Sequence, residues 1–212
     1  VMGRTIDEAI KRGQRSVKKG EAASHSFDML GEGARTMADA RRYFDSYANA
    51  IGEVGKAKTG PSPETADGIS VKLSALHPAY RAVQGERVHR ELYPMVAELA
   101  KLAAKQNINF TLDAEEADRL ALSLQLLEKL AREPDTAGWT GLGLAISREL
   151  SNLLGGEIQL TDAMATMIGS QPFHAVTFDG ARTSVTVPAI SKVWPTIGSS
   201  GWTPSSTFAR VK

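Results

Sequence analysis

Four apolar runs of strand length recur along this chain, and the first three are each followed by a long amphipathic helix. The runs are "HSFDML" (25–30), "ISVKLS" (69–74), "NINFTL" (107–112) and "LGLAI" (142–146). In the second, Ile69, Val71 and Leu73 alternate with Ser70, Lys72 and Ser74, and in the third Ile108, Phe110 and Leu112 share one side, which is the two-residue period of a strand. Parallel neighbours need a long return connection, so a strand–helix repeat of this length predicts an α/β fold with a parallel sheet. A (β/α) barrel and an open doubly wound sheet satisfy the repeat equally.

The intervening segments carry helix signals. Thr5 with Glu8 three residues on predicts a capped first helix with Ile6, Ala9, Ile10 and Val17 on its inner face. Thr36 with Asp39 opens the next, which carries Met37, Ala40, Phe44, Tyr47 and Ile51 at helical spacing. "KTGPSPETADG" (58–68) predicts a loop. Residues 85–106 form an amphipathic segment through Val88, Leu92, Val96, Leu99 and Leu102, which Pro94 must kink or restart. The strongest helix is expected over 115–133, burying Leu120, Leu124, Leu127 and Ala131.

In either architecture ligands bind at the carboxyl ends of the strands, where the β-to-α loops converge. Asp28, Lys72 and Asp113 fall there. Three consecutive strands that each deliver an ionisable group would make a site able to hold a zwitterion or to orient a charged cofactor. A structural reading competes at every position. Glu115, Glu116 and Asp118 suit the positive end of a helix, Asp113 could be its N-cap, and Lys72 could pair with a neighbouring acid. An ammonium among apolar neighbours requires such a partner or a polar cavity. His25, His77, His89 and His174 show no metal-ligand spacing, so no metal is expected, and His89, beside Arg90, is expected at the surface. The sequence contains no Gly-x-Ser-x-Gly elbow and no Walker-type phosphate loop, which weakens hydrolase and nucleotide-hydrolysis readings.

With 25 basic and 24 acidic residues the net charge is +1, too balanced to steer the chain toward nucleic acid or an anionic membrane. There is no cysteine, which excludes disulfides, thiolate metal sites and cysteine nucleophiles and fits a reducing, cytoplasmic compartment. No apolar run approaches the roughly 20 residues of a spanning helix, and the first residues lack the apolar core of a signal peptide. The chain opens on valine rather than methionine, as a fragment would. Charge is unevenly spread: residues 141–212 hold 9 charged side chains in 72 positions, against 40 in the preceding 140. That break predicts a change of character near Gly141.

Four blocks carry a family resemblance. "SFDMLGEGARTMADA" (26–40), "GISVKLSALHPAY" (68–80), "ERVHRELYP" (86–94) and "LDAEEADRLALSLQLLEKLAREPDTAGWTGLG" (112–143) resemble, in the same order, the proline dehydrogenase domain of the bacterial proline utilization A flavoenzymes. The resemblance implies a (β/α)8 barrel, here a partial one built from the amino-terminal strand–helix units over residues 1–143. It implies FAD as cofactor, oxidation of L-proline to pyrroline-5-carboxylate in proline catabolism, and quinone at the membrane as electron acceptor. The protein would then act in the cytoplasm or at the periphery of the inner membrane. Carried over residue by residue, the resemblance makes Lys72, from "SVKLS", and Asp113, from "LDAEEAD", catalytic and flavin-contacting residues. It makes Ala114 a further flavin contact and Asp28 a residue of the substrate pocket.

The chain then departs from the family. The family's late "RRLLEN"-type helix, which holds the substrate carboxylate through paired arginines, has no counterpart, nor has the "RLVKGAYW"-type strand, and Ser147 stands where the family places a glutamine after strand four. Residues 141–160, "GLGLAISRELSNLLGGEIQL", resemble instead the second glycine box and following helix of sensor histidine kinases, without the earlier boxes that hold Mg-ATP. Residues 161–212 offer strand-like alternation in "FHAVTFDGARTSVTVPAISKVW" (173–194) and a Gly- and Ser-rich stretch, "GSSGWTPSS" (198–206), that reads as a flexible end. Residues 144–212 are therefore expected to be an unassigned or foreign segment joined to a truncated barrel. That barrel is expected to be inactive by itself and prone to self-association through open strand edges. A non-catalytic interaction or signalling module built on the kinase-like helix is the competing reading. An active, divergent enzyme would need Arg182 or Arg210 as its carboxylate clamp.

Overall fold

The computed structural model describes residues 3–29, 33–58, 60–114, 117–147, 173–178, 183–187 and 206–211. Helix α1 (Ile6–Lys18) leads into β1 (Ser24–Met29), α2 (Met37–Ala57), β2 (Gly68–Lys72) and the one-turn α3 (Leu73–Leu76). Next come α4 (Gly85–Glu91), α5 (Tyr93–Gln106), β3 (Asn109–Ala114), α6 (Leu120–Ala131) and β4 (Leu142–Ser147). Strands β5 (Phe173–Phe178), β6 (Thr183–Val187) and β7 (Ser206–Val211) join the same sheet, whose order is β6-β5-β4-β3-β2-β1-β7. Strands β1 to β4 lie side by side in chain order and all run parallel. That is the succession of barrel strands, whereas a doubly wound sheet reverses its order at a switch point. The fold is a partial α/β barrel.

The segment after residue 143 extends this sheet. Strand β5 runs parallel to β4, β6 antiparallel to β5, and β7 parallel to the far side of β1. Strands β6 and β7 are the outer strands of the described sheet. Ser206, expected within a flexible end, begins β7, while residues 198–205 lie outside the described residues. Arg210 comes into register with Asp28, and Arg182 lies outside the described residues.

Local chemistry sets the element ends. Thr5 caps α1 by accepting the Glu8 N–H at 3.3 Å, and the Glu8 carboxylate reaches back to the Arg4 N–H at 2.9 Å. Thr36 and Asp39 form a complete capping box on α2. The inner face of α1 continues through Gly13 rather than Val17. A Cβ there would lie 3.1 Å from the His25 ring, so the absent side chain lets the helix settle this close. Pro94 restarts the helix, since α4 ends at Glu91 and α5 carries Pro94 in its first turn, where a missing N–H breaks no helical bond. Asn107 ends α5 in the left-handed region at φ 52°, so β3 begins at Asn109, later than "NINFTL" suggests, and runs on through Asp113 to Ala114.

Two boundaries move for physical reasons. The alternation of "ISVKLS" continues to Ser74, but β2 stops at Lys72 and Leu73 is already helical. Helix α6 starts at Leu120 after a 3-10 turn over Ala117–Arg119, and its first turn holds no acid. Asp118 therefore sits ahead of α6 rather than in its first turn, and Glu115 and Glu116 lie outside the described residues. The buried face of α6 takes in Leu122, Leu126 and Leu130 beside Leu120, Leu127 and Ala131, with Leu124 only partly buried.

The register sorts the sheet into two faces. Phe27, Ile69, Phe110 and Leu142 form one row and Val71, Leu112 and Leu144 the next, and both rows belong to the apolar core shared with the helices. On the other face Asp28, Ser70 and Thr111 form one row, with Lys72 and Asp113 above it. All five residues of β2 are buried, so its alternation separates barrel interior from helix layer rather than core from water.

Candidate functional site

The polar rows climb the inner face to the carboxyl ends of the strands. Lys72 is the last residue of β2, Asp113 is its register partner in β3, and Asp28 lies in β1 opposite Ser70. The Lys72 ammonium donates to Asp113 Oδ2 at 2.9 Å and stands 3.9 Å from Asp28 Oδ2. The side chains of Lys72, Asp28 and Asp113 are 1%, 7% and 13% exposed. Removing such ions from water costs several kcal/mol each, and only close pairing offsets that. Asp113 is thus the hydrogen-bonding partner, while Asp28 acts through charge at longer range. Both signs of charge are therefore present at this strand end.

The three strand-end residues are therefore brought together, and Asp113 lies within β3 rather than at a helix N-cap. Ala114 closes β3 with its side chain in the apolar core, so its backbone is what it can offer a ligand.

Sequence reasoning passed over two supporting residues. Tyr47, expected only as part of the apolar face of α2, accepts the Lys72 N–H on its hydroxyl at 3.2 Å. The signal was a tyrosine amid Ala40, Phe44 and Ile51, because a buried phenol needs a partner. Asp67, at the end of the loop before β2, accepts the His25 backbone N–H at 2.7 Å, and its carboxylate lies 3.4 Å from the His25 ring. This second pair sits at the amino end of the strands, away from the Lys72 cluster. His89, expected at the surface, is half-buried and bonds Gln125 of α6 at 3.0 Å.

A sequence profile for proline dehydrogenase matches residues 9–148. The chain belongs to the proline dehydrogenase family. Bifunctional protein PutA of Klebsiella aerogenes is 50% identical over 146 residues, which are 69% of this chain and 11% of that protein. A crystal structure of a Bradyrhizobium japonicum proline utilization A variant matches with a TM-score of 0.68 at 44% identity, covering 85% of this chain and 18% of that one. Proline utilization A from Bdellovibrio bacteriovorus matches with a TM-score of 0.69 over 84% of this chain and 19% of that one, at 21% identity, a likeness of fold alone. The chain thus spans 11% of the length of the curated PutA relative from Klebsiella.

Within the proline dehydrogenase match, "LGLAIS" forms β4 in register with β3 from Phe110–Leu142 to Ala114–Ile146. The described part of the kinase-like stretch is therefore a barrel strand, and residues 148–160 of it lie outside the described residues. Among the described residues, no group of three His, Asp or Glu side chains is placed to hold a metal, and no helix is long and apolar enough to cross a membrane.

Proposed function

We propose that residues 1–143 form the flavin- and substrate-facing part of a proline dehydrogenase, serving FAD-dependent oxidation of L-proline to pyrroline-5-carboxylate in the protein to which they belong. The observation that carries this reading is the buried Lys72 ammonium, held by Asp113 and faced by Asp28 at the strand ends of a proline dehydrogenase sheet. An ammonium donor suits the electron-rich polar edge of a flavin ring. A single cation does not hold a dinucleotide's pyrophosphate, so Lys72, Asp113 and the Ala114 backbone are assigned to the ring alone. Bound FAD would supply the hydride acceptor. The chain's own task is orientation and charge: Asp113 fixes Lys72, and the Asp28 carboxylate beside them suits the cationic nitrogen of proline.

In this reading the electrons pass to a quinone at the membrane, and the protein works in the cytoplasm or on the inner membrane surface. Of the segment expected as foreign over residues 144–212, the part beyond the family match, which ends at residue 148, is assigned as foreign, and the 212-residue chain is assigned no turnover of its own because the family's carboxylate clamp is not within it. Self-association through the outer strands β6 and β7 belongs to the same proposal.

The test is a titration of the 212-residue chain with FAD, followed by quenching of flavin fluorescence, with proline and a dye acceptor added at saturation. Saturable quenching is expected, weakened about tenfold or more by Lys72→Met, with no proline-dependent dye reduction. A wild-type chain that gives no saturable quenching overturns the cofactor assignment.

A further inference from the structure

We infer that Tyr47 is a positioning residue for Lys72, holding the piece of backbone from which the buried ammonium projects. The inference rests on the proposed reading of Lys72 as a pocket residue. Among the described residues the β1–β2 register runs from the Ser26–Gly68 pair to Asp28–Ser70. On the other side β3 keeps register through the Lys72–Asp113 pair. From the helix layer α2 brings in a hydroxyl, and the Tyr47 oxygen accepts the Lys72 N–H at 3.2 Å. Tyr47 is 1% exposed and packed in the core, so this acceptor is fixed by the helix that carries it.

Lys72 is also where the chain changes from strand to helix. Its backbone is extended, at φ −87° and ψ 118°, and Leu73 already opens α3. The Ser74 carbonyl accepts the Ala34 N–H at 2.9 Å, which ties the next turn to the β1–α2 connection. A residue at such a junction is the last that the ladder with β3 holds before the backbone turns into a helix. A small rotation there swings Nζ, five bonds from Cα, out of its 2.9 Å contact with Asp113. The Tyr47 hydroxyl thereby converts the position of α2 into the position of the ammonium. Phenylalanine would fill nearly the same core volume, so packing alone does not call for the hydroxyl, and a buried phenol is costly unless its oxygen is used.

The test is trace acetylation of lysines in the 212-residue chain with acetic anhydride, read residue by residue by mass spectrometry. Tyr47→Phe is expected to raise the rate at Lys72 by about fivefold to tenfold, the change that goes with losing one buried hydrogen bond. Exposed Lys56 and half-exposed Lys101 should react as in wild type. An unchanged Lys72 rate overturns the inference, and so does a rise at all three lysines together, which would mean general loosening. Should Tyr47→Phe fail to fold, 3-fluorotyrosine at position 47 keeps the ring and hydroxyl while weakening the oxygen as an acceptor. It is expected to move the Lys72 rate upward, and no movement overturns the inference. The labelling needs no flavin, so a wild-type chain that binds no FAD overturns the functional reading while the labelling still decides the role of Tyr47.

Discussion

The two ends of β1 each bury an ionisable side chain, and they use it differently. His25, near the amino end, packs beneath α1 with its ring 6.0 Å from the Phe27 ring and 3.4 Å from the Asp67 carboxylate. Asp28, near the carboxyl end, faces the barrel interior and Lys72. Three residues of strand turn a side chain to the opposite face and carry it about 10 Å along the sheet. Among the described residues neither ring nitrogen of His25 finds a hydrogen-bond partner, and what Asp67 holds is the His25 backbone N–H. The Lys72 ammonium, by contrast, is hydrogen-bonded, and Asp113 and Asp28 reach it from two other strands. Burial of a titratable group therefore does not mark a site. Convergence from several strand ends does.

The largest effect this contrast predicts is that of Lys72→Met. It takes a buried ammonium from beside two buried carboxylates, and a loss of about 3–5 kcal/mol is expected in urea denaturation. A variant as stable as wild type would mean that the cluster is solvated, and the contrast between the two ends would fail. Asp67→Ala comes next, because it removes the acceptor of a buried backbone N–H. It is expected to cost about 1–3 kcal/mol while leaving the flavin titration unchanged. His25→Leu is smaller again, since it replaces a ring without hydrogen bonds by an apolar group of similar volume and keeps the Asp67 contact. A change within about 1.5 kcal/mol is expected. If His25→Leu weakened flavin binding as Lys72→Met does, the amino end would belong to the site as well.

How much of this is legible in the sequence follows from the range of each interaction. Strands β1 to β4 are legible because their period is local, and the caps at Thr5 and Thr36 because each spans three residues. Asp28, Lys72 and Asp113 are legible as strand-end residues, but their meeting is not. It depends on register, and a slip of one residue would turn Asp113 to the helix face. Tyr47 and Asp67 act through hydrogen bonds across 25 and 42 residues, which no pattern in a window records. The end of β2 at Lys72 escapes the alternation for a related reason, since Leu73 is as apolar as a strand residue should be and the turn into α3 is set by tertiary contacts. The joining of β7 to β1 is an encounter between the two ends of the chain, and local alternation says only that each is a strand.

The smallest effect is expected away from both ends of β1, on the outer helices. Glu91 of α4 accepts hydrogen bonds from His77 at 3.1 Å, Arg87 at 3.0 Å and Arg90 at 3.1 Å. These bonds, His77's foremost, hold its carboxyl down from an ordinary 4.5 to about 2. A carboxyl depressed by folding stabilises the fold fully above its unfolded value and loses that contribution as the pH falls through its folded one. The stabilisation is therefore whole above pH 4.5 and disappears progressively toward pH 2. The Glu91 side chain is 31% exposed, so solvent screens its pairs and the effect stays below those of the buried clusters. Urea midpoints of wild type and Glu91→Gln should differ at about pH 6 and draw together at about pH 3. A difference that persists unchanged in acid would mean that the carboxamide fails for reasons of shape rather than of charge.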